Sequence, residues 1–321
     1  MAALLEVRGL TVELPTPAGW LRPVNEVSLD LAAGETLGLV GESGCGKTML
    51  SLALVGLLPL GARTAGEAWF SANGRRANLA ALTERQFPAL RGRQIAMVFQ
   101  EPMTALNPVL RIGTQIEEAI RAHEPQLARS EVERRALEAF VRARVPEPEV
   151  RRKQYPHQLS GGLRQRALIA MALAAGPRLL IADEPTTALD VTVEKQILAL
   201  LRQLRDELDL ALLFITHNLG VVGQIADRLA VMYAGRIVEE GPAREVFRSP
   251  RHPYTEGLLR SSPDLGRRKL EPIPGAVPRL DALPPGCAFE PRCPYRKPEC
   301  SEAVPELRVA SPGHRARCIL V

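Results

Sequence analysis

The sequence predicts an α/β fold: a mostly parallel sheet covered by helices on both faces, with an antiparallel β subdomain, an inserted helical subdomain and a Pro- and Cys-rich C-terminal extension. Three observations carry that prediction. Short apolar runs at 95–99 (IAMVF), 179–182 (LLIA), 211–216 (ALLFIT) and 229–233 (LAVMY) read as buried strands, with helical stretches between them. The segment TLGLVGESGCGKTMLSLALVGLL passes from an apolar strand through a glycine-rich turn into a long apolar helix, the order that a strand, phosphate loop and helix require. Residues 4–14 and 24–31 alternate apolar and polar positions, as half-buried antiparallel strands do.

Between about 111 and 175 the pattern is helical, with the charged amphipathic stretch RSEVERRALEAFVRAR and a break at Pro146 and Pro148. This predicts a helical subdomain at about 101–175, inserted into a domain that spans 1–250. After residue 250 proline becomes frequent (SPRHPY, EPIPG, LPPG, EPRCP) and neither strands nor helices are well supported. The stretch 251–321 is therefore expected as a tail module held by local contacts or a ligand, not as a second independent core.

At 321 residues, 46% of them hydrophobic, the chain is long enough to bury a sizeable core. Its net charge of +5 is spread along the chain, which predicts a solvated basic surface and no nucleic-acid partner. The N-terminal MAALLEVRGLTVEL lacks the basic start and long apolar stretch of a secretory signal. The uncharged stretch 49–62 is too short to span a bilayer and contains Pro59. A cytosolic chain with reduced thiols is the expectation.

Three motifs carry chemistry. GESGCGKT at 41–48 fits the G-x-x-x-x-G-K-[ST] (Walker A) pattern at the junction of a strand and a helix. Its glycines let the backbone curl so that amide hydrogens point inward, and the helix N-terminus adds positive potential for phosphates. Gly41, Ser43, Gly44, Cys45, Gly46, Lys47 and Thr48 are the expected binding residues, with Lys47 on the β and γ phosphates and Thr48 on magnesium. LLIADE ends an apolar strand in Asp183 and Glu184; by themselves the two acids suit a helix cap, and beside a phosphate loop one suits the metal and the other a water. LSGGLRQR places Ser160, Gly161 and Gly162 ahead of a helix, which suits either a capped start or a phosphate contact.

With these motifs in the order phosphate loop, Gln100, LSGG, LLIADEP, ALD and His217, the chain resembles the ATP-binding subunits of ABC transporters, P-loop NTPases of the ABC type, over nearly its full length. The resemblance implies that Gln100 serves the metal, the attacking water and the link to the membrane subunits. It makes Glu184 the general base, Asp183 a magnesium ligand, His217 the switch residue on the γ-phosphate, and Asp190 part of the loop joining two sites. In that family ATP is held between the phosphate loop of one domain and the LSGG segment of another. One copy of each motif implies a partner ATPase chain, a sister subunit or a second copy. Leu163 stands where the family usually has Gln or Met, and Leu14 stands where many members have the aromatic residue that stacks on adenine, which leaves Trp20, a few residues on, as the candidate for that role.

QEPMTALNP, YPHQLSGG, DEPTTALDVT, RHPYTEGLL and IPG resemble the oligopeptide and dipeptide importers more narrowly. This implies an ATPase on the cytoplasmic face of the cell membrane, two transmembrane permease subunits and an extracytoplasmic peptide-binding protein. Related branches carry nickel, glutathione or antibiotic peptides. A soluble ABC-type ATPase acting on nucleic acid is the competing class; such proteins tend to carry two ATPase domains or long coiled-coil insertions, and this sequence has neither.

Cys287, Cys293, Cys300 and Cys318 gather in the tail without a paired C-x-x-C. From spacing, they suit either a metal or cluster site or unpaired structural thiols. The resemblance implies a [4Fe-4S] cluster on these four, with zinc as the runner-up and His314 as a spare ligand.

Overall fold

A computed structural model of the chain describes residues 3–17, 19–100, 105–262 and 271–321. Positions 101–104 of the QEPMTALNP motif, where the helical subdomain was expected to begin, lie outside the described residues. Two compact units result, one of Met1–Leu82 with Phe214–Val321 and one of Thr83–Leu213.

In the first unit the alternating N-terminal segments form strands Ala3–Thr16 and Gly19–Ala32, paired antiparallel with Leu5 opposite Leu31 and Val12 opposite Val24. Val27, Leu29 and Leu31 point into the core while Ser28 and Asp30 do not, the period of two that buries one face of a sheet. Strands Arg63–Ala72 and Arg75–Asn78 extend this sheet on the other side of Ala3–Thr16. Neither was expected from the sequence, because RTAGEAWFSA alternates poorly and draws its pairing from a strand some 60 residues earlier.

Strand Thr36–Val40 is buried along its whole length and runs parallel to Arg228–Tyr233, consistent with a continuous apolar run covered on both faces. Burying each of Leu37, Leu39 and Val40 contributes about 1.5–3 kcal/mol. The helix after the glycine turn is shorter than expected, Lys47–Leu54. It closes at Gly56, φ +64°, with Gly56 N–H donating to Ala53 O and Leu57 N–H to Leu52 O, a left-handed exit that a glycine adopts without strain.

The tail differs most from the sequence expectation. Residues after 250 contain helix Pro253–Ser261 and strands Arg308–Ser311 and His314–Ala316, and the last of these pairs antiparallel with Arg236–Pro242. The anchor is Glu239, fully buried, whose carboxylate accepts hydrogen bonds from His314 Nε2 (2.7 Å), Arg251 N–H (2.7 Å) and His252 N–H (2.9 Å). A Cβ at Gly241 would lie 2.9 Å from the His314 ring, so glycine permits that approach.

In the second unit strands Ile95–Val98 and Leu179–Asp183 pair parallel. Helices Ile112–His123, Arg129–Arg142 and Gly161–Leu173 surround a core that includes Ile112, Ile116, Ile120, Val132, Ala136 and Phe140, the i, i+4, i+8 spacing of an amphipathic helix. Their solvent faces carry ion pairs such as Arg129–Glu133 and Arg135–Glu131, which are worth little in stability. Among the described residues no helix is long and apolar enough to cross a membrane.

His252 Nδ1 accepts the Tyr254 N–H at 3.0 Å, so the ring must be unprotonated there. Burial, reinforced by the charge of Arg317, pushes its pKa from 6.5 down to about 3. The unfolded chain takes up a proton that the folded chain resists, so this contribution is complete above pH 6.5 and declines as the pH falls toward 3. Between pH 6.5 and about pH 5 the wild type should lose about 2 kcal/mol more than His252→Asn, which keeps a side-chain acceptor at the helix start. Calorimetric unfolding of both across that window checks this; equal pH slopes would reject it.

Candidate nucleotide site

The residues expected to bind nucleotide fall into two groups, one in each unit. In the first unit, 41–48 follows strand Thr36–Val40 and leads into helix Lys47–Leu54. Two of its glycines are required by close backbone approach: a Cβ at Gly41 would lie 2.2 Å from Met232 O, and one at Gly46, φ +109°, would lie 1.8 Å from Pro23 O. Gly235 N–H donates to Cys45 O (2.9 Å) and Asn25 N–H to Gly235 O (2.8 Å), which tie the loop to its neighbouring strands. Lys47 is buried, and its Nζ donates to Gly41 O (2.8 Å) and Glu42 O (3.1 Å). Ser43, Gly44 and Thr48 are exposed. Cys45 is buried beneath them, and burial pushes its thiol pKa up despite the nearby Lys47 charge.

His217 follows strand Ala211–Thr216 and is exposed, while Asn218 beside it caps the next turn by accepting the Gly220 and Val221 N–H groups. Trp20 is 43% exposed, and the Arg63 guanidinium lies 4.0 Å from its ring centre, a cation–π contact that occupies one face of the indole.

In the second unit Asp183 is the buried last residue of strand Leu179–Asp183. Glu184 follows with φ +49°, a left-handed conformation that costs a non-glycine residue of order 1 kcal/mol and concentrates at functional sites. Its Oε2 accepts hydrogen bonds from Gln100 Nε2 (3.1 Å) and Thr187 Oγ1 (2.9 Å). Two residues 84 positions apart, each singled out from the sequence, are thus in contact. Thr187 was missed; its signal was a hydroxyl three residues after Glu184 in a turn closed by Thr187 N–H to Glu184 O (3.2 Å).

Ser160 caps helix Gly161–Leu173, its Oγ accepting the Leu163 N–H at 3.4 Å. A Cβ at Gly162 would lie 2.6 Å from Val193 Cγ1, so this glycine lets helices Gly161–Leu173 and Val191–Leu208 approach. Asp190 caps the second of these, accepting from Thr192 N–H (3.0 Å) and Val193 N–H (2.9 Å).

In the tail, Cys287, Cys293, Cys300 and Cys318 line one small pocket with His252, Phe289 and Pro305. Burial raises the Cys287 thiol to about 11 and also raises Cys293 and Cys318, with neighbouring cysteines adding to the effect. Among the described residues, no group of three or more His, Cys, Asp or Glu side chains forms a ready metal site. His314, expected as a spare ligand, is hydrogen-bonded to Glu239 instead.

A strand, a glycine loop curled beneath neighbouring backbone, a buried lysine and a helix start define a phosphate-loop nucleoside triphosphatase. The model of the ABC transporter family matches residues 24–187, and that of the oligopeptide/dipeptide transporter C-terminal region matches 238–300. A putative peptide import ATP-binding protein of Brucella melitensis biotype 1 is 51% identical over 98% of this chain and 96% of its own length. The oligopeptide transport ATP-binding protein OppD of Salmonella typhimurium is 48% identical over 98% of this chain and 93% of its own. Among solved structures, a dimeric bacterial ABC transporter cassette superposes with a TM-score of 0.66 at 26% identity, covering 75% of this chain and 99% of that one. The chain therefore belongs to the ATP-hydrolysing subunits of ABC transporters, in their oligopeptide and dipeptide branch.

Replacing Asp190 by Ala should lower the unfolding free energy by about 1 kcal/mol, whereas Asn should cost only a few tenths. Denaturant titrations of the two variants test whether the helix cap is the main structural work of this side chain.

Proposed function

We propose that this chain powers the import of oligopeptides or dipeptides from the cytoplasmic face of the cell membrane. The observation that carries this reading is the near full-length identity of about half with OppD and with peptide import ATP-binding proteins, continuing through the C-terminal region. The partners are a sister ATPase or second copy, two transmembrane permease subunits and an extracytoplasmic peptide-binding protein. The nucleotide-binding domain spans 1–250 with its helical insertion at about 101–175, and 251–321 is the peptide-importer extension.

In this reading residues 41–48 cradle the phosphates, with Lys47 on the β and γ groups. The amides of 43–48 supply donors at the start of an eight-residue helix. Thr48, Gln100 and Asp183 are oxygen donors of the kind magnesium takes, and bound magnesium supplies charge neutralisation at the phosphates. Glu184 takes the proton of the attacking water, and Gln100 and Thr187, both bonded to its carboxylate, hold it in one orientation. His217 contacts the γ-phosphate, and Ser160, Gly161 and Gly162 contact the phosphate of the partner chain. Asp190 keeps the loop between the two sites in register through its helix cap.

The same reading places a [4Fe-4S] cluster, as the peptide-importer resemblance implies, on Cys287, Cys293, Cys300 and Cys318, whose thiols line one pocket. Burial raises the thiols of Cys287, Cys293 and Cys318, which fits thiols that become thiolate only when a cation compensates the charge.

Glu184→Gln should reduce turnover by about 10²- to 10⁴-fold while retaining ATP binding. Full ATPase activity of that variant in the assembled transporter would remove Glu184 from its role. A peptide-loaded binding protein should stimulate the complex and DNA should not; the reverse would support the nucleic-acid class. Protein purified anaerobically should be brown and contain iron and sulfide, and zinc without iron would exclude the cluster.

A further inference from the structure

The second residue of the phosphate loop, Glu42, brings a carboxylate into a loop that must accept a polyphosphate. Like charges at close range oppose one another, so this side chain would weaken nucleotide binding unless its charge were taken up elsewhere. The tail takes it up. Arg292 donates from Nη1 to Glu42 Oε2 (2.8 Å) and from Nη2 to Oε1 (3.0 Å), a two-pronged pair across 250 residues of sequence. Such a fork fixes direction as well as charge.

Arg292 is itself held in place. Its side chain is 5% exposed, its Nε donates to Pro274 O (3.0 Å), and its Nη1 also reaches the Tyr233 hydroxyl (3.3 Å). The guanidinium lies 5.9 Å from the ring centres of both Tyr233 and Phe289. Those rings pack with Tyr254 at 4.5–5.4 Å between centres. Burial works against the charged form of Arg292, but hydrogen bonds to Glu42 and Tyr233 outweigh it and hold its pKa above the ordinary value. Tyr254 completes the grip, its hydroxyl oxygen accepting the Glu42 backbone N–H at 2.8 Å. Glu42 O in turn accepts Lys47 Nζ (3.1 Å), so whatever steadies Glu42 also steadies the loop around the lysine.

We infer that Arg292 is a positioning residue for nucleotide binding: by pairing with Glu42 it removes an opposing charge from the phosphate loop and fixes the loop's shape. The inference rests on the reading of 41–48 as the phosphate-binding segment. Through this residue the tail contributes to ATP affinity without touching ATP. The turn Glu290–Arg292 that carries it is bracketed by Cys287 and Cys293, so the conformation of the cysteine segment bears directly on the loop.

The test compares the full-length chain with Arg292→Met, Arg292→Lys and the double variant Glu42→Gln with Arg292→Met, measuring affinity for a fluorescent ATP analogue, KM, kcat and the thermal midpoint. Arg292→Met should raise KM and the analogue Kd roughly tenfold while kcat stays within about twofold, the pattern of lost uniform binding. Adding Glu42→Gln should recover most of that loss, because the unpaired charge is gone. A purely structural arginine would give no such recovery. Arg292→Lys, which keeps charge but lacks the fork, should fall between wild type and Arg292→Met. A KM for Arg292→Met within twofold of wild type, or a double variant no better than Arg292→Met, overturns the inference. If Arg292→Met does not fold, the lysine variant decides: a raised KM with kcat kept supports the inference, and a wild-type KM overturns it. Lys47→Ala serves as the control for the underlying reading; unchanged nucleotide affinity there would reject the phosphate-loop assignment itself, whatever Arg292 does.

Discussion

A single buried carboxylate organises the first unit. Glu239 has no exposure, and its two oxygens are met by a histidine from the last strand and by two backbone amides that open the helix after residue 250. Leaving such a charge with a partner removed costs about 3–5 kcal/mol, so these segments belong together or not at all. Beside it Glu240, also buried, pairs with Arg228 and with Arg315 at 2.8 Å. Helix Pro253–Ser261 brings Tyr254, and the Pro-rich segment brings Phe289 and Arg292, to the residues around the phosphate loop. A tail poor in apolar runs is thus built into the unit by buried polar contacts.

The phosphate loop itself is shaped by exclusion of volume. Gly41 and Gly46 sit where a Cβ would strike the backbone carbonyls of Met232 and Pro23. Backbone is the least yielding neighbour a substitution can meet, so at these two positions the motif records packing as much as ligand chemistry. Gly44, by contrast, has open space around it and needs glycine for its φ of +78°. In the second unit Glu184 is one of several non-glycine residues with left-handed backbone, and two hydrogen bonds fix its side chain. In the proposed function Glu184 is the general base, and orientation of such a base by neighbours is the arrangement that phosphoryl transfer rewards, since positioning and electrostatics supply nearly all of its catalysis.

Membership of the peptide-importer branch gives these features a setting. In the proposed function an ATPase with one phosphate loop and one LSGG segment works as half of a pair, and coupling to membrane subunits requires that nucleotide binding be felt across the chain. Arg292 offers one physical route within the first unit, from the cysteine segment to the loop. The four cysteines share a pocket with His252 and Phe289, the same residues that pack against the aromatic cluster under the loop.

Local pattern was enough for much of this. The apolar strands at 95–98, 179–183, 211–216 and 228–233 were legible because buried strands read as uninterrupted apolar runs. The phosphate loop and the Ser160 cap were legible because their chemistry is complete within a few residues. Gln100 and Glu184 were both found as candidates, but their contact is made by pairing of parallel strands 84 residues apart. The strands 308–311 and 314–316 could not be read, since short polar segments become strands only when a distant edge accepts them. The same holds for Arg292, one arginine among many in the sequence. The sequence by itself determined which residues are the candidates for phosphate chemistry, because their motifs are local; tertiary structure alone decided which buried charge meets which, because such a pair is defined by distance in space and by the solvent it excludes.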